Sequence, residues 1–401
     1  MRIENLRTEK NGNLAKVAAT VVWEDCDRGE QEIYFATTQD FAEDLSCNPH
    51  AFLVACIMPA MHYGEQRVAL DAEICPELRD GLNTAMNLIS HWYEKKDNIV
   101  QIESKTRANF PVASNPKRAG FFFSGGIDSL AELRANRLDF SLEHPRSFQD
   151  GLLILGLNFY QDENPQKQLE GIQVKSLTKI AEDARINFIP IYTNILKLEN
   201  DIKFWGFEFQ AAALASVAHS FSQRLSEVTI ASSKELFHLE PYGSHPLLDP
   251  NYSSSELRIR HGNILLSRLA KTKLVAGWDV ALENLKVCTR NTYDKLNCGR
   301  CEKCLRTMTA LLALGVLDKT RIFPQTDVSE ELLLQGAYIP DAYNYQILAD
   351  ILEKKGRHDL VRGINRIINR YHERDLKGIF KRVDRLLFKG NLFGLYKNRK
   401  V

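Results

Sequence analysis

Residues 14–23 and 31–37 are rich in Val, Ala, Ile, Tyr and Thr, and with 67–74 they predict strands. Apolar positions recur at helical spacing over 50–61 and 77–93. Together these segments predict a small α/β unit over 1–112, closed by the prolines and small polar residues of 110–116. From Arg118 onward, strand-like runs at 119–123, 152–157, 188–192 and 228–231 alternate with helical patterns at 167–186 and 207–221. Such alternation predicts an α/β fold with a doubly wound parallel sheet, whose ligands bind at the carboxyl ends of the strands. Beyond Asp318 the pattern is helical, so the expected segments are 1–112, 113–317 and 318–401.

A chain of 401 residues has room for two or three domains, and 44% hydrophobic with 26% charged residues fits a folded globular protein. Its longest apolar run, 51–61, is too short to span a bilayer. The opening Met1-Arg2-Ile3-Glu4-Asn5 lacks the pattern of a secretory signal, so a cytoplasmic protein with no membrane contact is expected. The net charge of +1 hides an asymmetry: 354–401 carries fifteen Lys and Arg against four Asp and Glu, or +11, leaving 37 against 47, or −10, for the rest.

Two constellations carry chemistry. In Phe123-Ser124-Gly125-Gly126-Ile127-Asp128-Ser129-Leu130 an apolar strand turns through two glycines into a helix. Glycines let the backbone approach an anion, and the helix start offers unpaired N–H groups and a positive dipole end. Ser124 and Ser129 add hydroxyls, and Asp128 either caps the helix or holds Mg²⁺ beside phosphates. The second constellation is Cys288-x9-Cys298-x2-Cys301-x2-Cys304, with Gly299 allowing a tight turn. Four thiolates complete a tetrahedral Zn²⁺ site; the spacing also resembles iron–sulfur ligation, but no Pro follows the last cysteine.

Ser-Gly-Gly-x-Asp-Ser resembles the signature of the PP-loop ATP pyrophosphatases, and with Cys-Gly-x-Cys-x2-Cys-Leu-Arg downstream the chain is similar to the QueC family, the 7-cyano-7-deazaguanine synthases. The resemblance covers about 118–317. It implies ATP held by Ser124, Gly125, Gly126, Asp128 and Ser129, with Asp128 and Ser129 also catalytic, and Zn²⁺ held by Cys288, Cys298, Cys301 and Cys304. It further implies an enzyme that adenylates a carboxylate, releases pyrophosphate, and forms an amide or nitrile as AMP departs. Lys271 lies where that family often has a catalytic lysine able to offset charge on the adenylate or pyrophosphate.

Where the family has Pro-Gly-Arg-Asn, this chain has Phe204-Trp205-Gly206-Phe207-Glu208-Phe209. With its added 1–112 and basic tail, its layout resembles the longer QueC-like proteins of antiphage operons, which implies a partner protein. The polar stretch 232–250, with His238, His245 and Asp249, is the candidate substrate loop. In the tail, Leu360, Val361, Ile364, Ile367, Ile368 and Tyr371 predict an amphipathic helix beside an Arg362, Arg366, Arg370, Arg374 stripe. That stripe suits a partner protein, a nucleic acid, or the acidic body of the same chain. Thiolation of a nucleoside and a non-catalytic nucleotide-binding scaffold are the alternative functions.

Overall fold

The computed structural model describes residues 1–94, 99–107, 117–157, 171–288, 295–336 and 342–374, which fall into two compact units, Met1–Leu285 and Lys286–Val401. The first unit is built on one sheet of ten strands among the described residues. These are β1 (Arg2–Asn11), β2 (Leu14–Val22), β3 (Gln31–Thr38), β4 (Arg67–Ile74), β5 (Gln101–Thr106), β6 (Arg118–Phe122), β7 (Phe148–Leu155), β8 (Asn187–Thr193), β9 (Leu225–Ala231) and β10 (Arg258–Gly262). Their order is β10-β9-β6-β7-β8-β3-β2-β1-β4-β5.

The run β10-β9-β6-β7-β8 is parallel throughout. Counted along the chain from β6, its spatial order is 3-2-1-4-5, a doubly wound order whose topological switch lies between β6 and β9. The longer helices of this unit among the described residues are α1 (Pro49–Tyr63), α2 (Pro76–Trp92), α3 (Ile127–Asp139), α4 (Ile172–Ala184), α5 (Gln210–Ser220), α6 (Arg268–Ala276) and α7 (Asp279–Asn284).

The sequence-based division needs correcting at both of its boundaries. Residues 1–112 do not form a separate core, because β3 pairs antiparallel with β8 (Phe35↔Thr193, Ala36↔Tyr192, Thr37↔Ile191) and the sheet runs on without a break. One buried cluster accordingly joins Val17, Phe35 and Phe52 to Phe209, Val228 and Ile259. The boundary expected at 110–116 lies outside the described residues. The cysteine cluster, expected at the end of the α/β domain, belongs instead with the C-terminal helices beyond Leu285.

Helix α1 explains the longest apolar run. Every residue from His50 to Met61 is buried, with β4 and α5 among its neighbours, so it is apolar all round because it is enclosed by protein. The Asn48 side chain accepts from His50 N at 3.0 Å and Gly64 closes the helix in the left-handed region. Among the described residues no helix is long and apolar enough to cross a membrane.

The second unit holds α8 (Glu302–Leu314), α9 (Glu330–Gln335), α10 (Tyr343–Lys354) and α11 (His358–Arg374). As its spacing predicts, α11 buries Leu360, Ile364, Ile367 and Ile368, against α9 and α10. Arg362 and Arg366, each about 61% exposed, pair with Glu330 of α9 at 3.4 and 2.7 Å. Half of the stripe therefore meets a carboxylate of its own chain. Arg370 is exposed; the Arg374 side chain and all of 375–401 lie outside the described residues.

Candidate functional site

The Ser124–Ser129 loop sits at the switch point, because β6 delivers it beside the end of β9. Phe123 N bonds Leu152 O at 2.8 Å, which keeps the strand paired up to the turn. Gly125 then adopts φ +78°, a left-handed conformation that favours glycine, whereas Gly126 is extended at φ −83° and is the N-cap of α3. No side chain caps α3, so its first N–H groups point to the loop without a protein acceptor from a cap. Ser124 Oγ and Ser129 Oγ lie 3.2 Å apart, and Ser129 Oγ donates to Gly126 O. The cap role weighed for Asp128 is therefore excluded.

Asp128 meets two cations of α6. Arg268 Nη1 lies 2.6 Å from Oδ2 and Lys271 Nζ 3.6 Å from Oδ1. Ser267 accepts from Ala270 N and fixes the start of that helix. Lys271 is 1% exposed rather than solvated, and its ammonium donates to Ser232 O, just past β9, at 2.5 Å. Burial lowers its pKa, opposed by Asp128. One turn beyond Asp128, burial pushes the Glu132 carboxyl up to about 7, opposed by Lys271 and Arg260. Arg268 escaped the sequence reading, although its i, i+3 spacing from Lys271 puts both on one helix face.

The expected substrate loop divides in two. His238 is exposed, with Nδ1 2.9 Å from a Glu235 carboxylate oxygen. His245 and Asp249 are buried anchors. Asp249 accepts from Ser244 Oγ and His245 N, both at 2.8 Å, and lies 2.7 Å from His261 Nδ1 on β10. His245 stacks edge-on to Trp92 with ring centroids 4.9 Å apart. His261 was also unforeseen, because Arg-Ile-Arg-His-Gly gives no strand signal. The loop reaches the departed family element through Gly243, which donates to Gly206 O at 2.8 Å and accepts from Ala211 N at 2.7 Å. That element, Trp205–Phe209, is a π-helical turn, a distortion frequent at functional sites.

Because Asp249 satisfies three donors, one of them buried and two half-buried, Asp249→Ala is expected to cost ~3–5 kcal/mol, each orphaned donor contributing ~1–3 kcal/mol. A urea titration checks this; a loss below ~1 kcal/mol shows the network to be dispensable to the fold.

In the second unit the four cysteine sulfurs lie within 4.8 Å of one another, a group able to hold a metal ion. Sγ separations are 3.8 Å for Cys288–Cys301, 3.9 Å for Cys298–Cys304 and 3.4 Å for Cys301–Cys304. A tetrahedral ion with bonds of ~2.3 Å separates its sulfurs by ~3.8 Å, so this thiolate set fits one. The Cys298 sulfur accepts from Cys301 N at 3.3 Å and Arg300 N at 3.5 Å, which suits a thiolate. Gly299 turns this knuckle at φ +69°, where a Cβ would stand 1.9 Å from Gln325 Oε1. Asn297 Oδ1 accepts from Val287 N and Cys288 N and so holds the segment that carries the first ligand, and Cys301 is the N-cap of α8. No family model matches this chain, and neither does any curated protein or solved structure.

Proposed function

We propose that the protein is an ATP-dependent, AMP-forming enzyme that adenylates a carboxylate for attack by a nitrogen nucleophile, as the QueC family it resembles does. The observation that carries this reading is the placement of Ser124–Ser129 at the switch point, with Arg268 and Lys271 converging on Asp128. A loop of N–H donors with two cations is suited to a polyphosphate, and α-phosphorus attack needs such charge screening as pyrophosphate leaves.

Mg²⁺ fits the same place. Asp128 Oδ1 is buried without a hydrogen-bond donor, with Lys271 Nζ 3.6 Å away, so it can serve as a hard oxygen ligand. When bound, Mg²⁺ would neutralise charge on the β and γ phosphates. In the first step a substrate carboxylate oxygen bonds to the α-phosphorus and the bond to the β-bridging oxygen breaks. In the second, nitrogen attacks the acyl carbon, loses its proton, and AMP departs. Lys271, positioned by Ser232 O and Asp128, would set its amino group beside the leaving phosphates. Zn²⁺ at the cysteine centre is structural in this reading, since four protein ligands leave no open position.

Nucleoside thiolation is the weaker alternative, because three of the four cysteines outside the cluster, Cys26, Cys47 and Cys56, are held toward the thiol form. Burial raises the thiol pKa of Cys26 and Cys47 and pushes Cys56 up to about 12. The antiphage setting and a partner protein follow from the family layout alone and are part of the proposal.

The test is product analysis with ATP, ammonia and 7-carboxy-7-deazaguanine as the probe carboxylate, alone and with proteins encoded beside it. AMP and pyrophosphate are expected in equal amounts. ADP with phosphate rejects the PP-loop reading, and no turnover under any of these conditions favours the scaffold.

A further inference from the structure

We propose that Arg268 makes the Ser124–Ser129 loop select a Mg²⁺-bound triphosphate: it pairs with Asp128 and turns to the polyphosphate when a metal takes that carboxylate. The proposal rests on the ATP reading above and assigns a residue that the family resemblance does not.

The two cations on Asp128 are held differently. Lys271 is tied at both ends of its reach, to Asp128 and to the Ser232 carbonyl, and is fully enclosed. Arg268 has Asp128 as its only side-chain partner among the described residues, at 2.6 Å and through one nitrogen, Nη1. Its guanidinium is thus a five-donor fork engaged at a single tooth. Such a fork matches phosphate oxygens two at a time, and its charge persists at any working pH.

Arg268 lies on Oδ2 and Mg²⁺ would take Oδ1 of the same carboxylate, so the metal would draw on the charge that now holds the guanidinium, and the two compete for Asp128 in that sense. While Arg268 lies on Asp128, each cancels the other's charge and the loop offers an incoming anion less attraction than its composition suggests. Metal on Asp128 would release the guanidinium within reach of the same cradle, adding a cation when the polyphosphate arrives. AMP, with no β or γ phosphate, draws nothing from this exchange.

The experiment is calorimetric binding of α,β-methylene-ATP, pyrophosphate and AMP to the full chain, with Mg²⁺ and with EDTA. Arg268→Ala is expected to weaken Mg²⁺-bound α,β-methylene-ATP and pyrophosphate about 10- to 100-fold, with AMP changed less than about twofold. Arg268→Lys should fall between, since it keeps the charge and loses the fork. Asp128→Asn should abolish the gain from Mg²⁺ and bind metal-free nucleotide more tightly than the unmodified protein does. Equal Mg²⁺-nucleotide affinity in Arg268→Ala overturns the proposal while leaving the ATP reading intact. Failure of the unmodified protein to bind any of the three ligands instead rejects the ATP reading on which it rests.

Discussion

The purified 401-residue chain is expected to carry one zinc ion, and Cys301→Ser is expected to destabilise the Lys286–Val401 unit by more than ~3 kcal/mol. Structural zinc contributes an apparent ~10–16 kcal/mol at neutral pH in small zinc domains, so losing one ligand of four removes a large part of the stability of a unit this size. Cys288 and Cys304 are buried, and the turn from Cys298 to Cys301 donates the Arg300 and Cys301 amides to the Cys298 sulfur. Removing the ion would leave close-set thiols whose ionised forms repel. Because ligands must be deprotonated, metal retention should fail as pH drops, and the unit with it. Elemental analysis and limited proteolysis with and without chelator check this; iron with a visible charge-transfer band overturns the zinc assignment.

The second large effect concerns the phosphate loop. Asp128→Asn and Gly125→Val are each expected to lower ATP turnover by at least ~100-fold, the scale on which single positioned charges and donors act at transition states. Gly125→Val should act through the backbone, since a β-branched residue at φ +78° must leave the left-handed region and swing the adjacent N–H groups away. Gly126 has no such need at φ −83°, and Gly126→Ala should be distinctly milder. Asp128→Asn keeps the shape and removes the charge that Arg268 and Lys271 face. Turnover measured as AMP release, beside thermal melts showing an unchanged fold, checks both; turnover within threefold of the unmodified protein in either variant sinks the assignment.

What the sequence disclosed depended on how local each signal is. β4 was legible to the residue, and β6, its glycine turn and α3 follow from adjacent residue types. The cysteine centre was equally plain, because its ligands fall within one short stretch. β1, β5 and β10 gave no such signal. In β1 the outward face carries Arg2, Glu4, Arg7 and Glu9, and Arg7 and Lys16 both bridge to Glu9 and Glu32 in an ion-pair ladder, which replaces the usual β-branched residues. Arg268 and His261 stayed hidden because their partners, Asp128 and Asp249, are 140 and 12 residues away. The pairing of β3 with β8 leaves no mark in either segment taken alone.

That last pairing has a bearing on how the molecule tolerates being cut. A fragment beginning at Arg118 would keep every residue of the phosphate loop, yet it would turn β8 from an interior strand into a bare edge. The carbonyl and amide groups of Ile191, Tyr192 and Thr193 that β3 now meets would line that edge, beside the largely apolar Phe188–Tyr192 run. Such an edge is a template for intermolecular strand addition. The N-terminal strands thus serve as a built-in guard against self-association, and the half that carries Ser124–Ser129 cannot be excised without exposing what they shield.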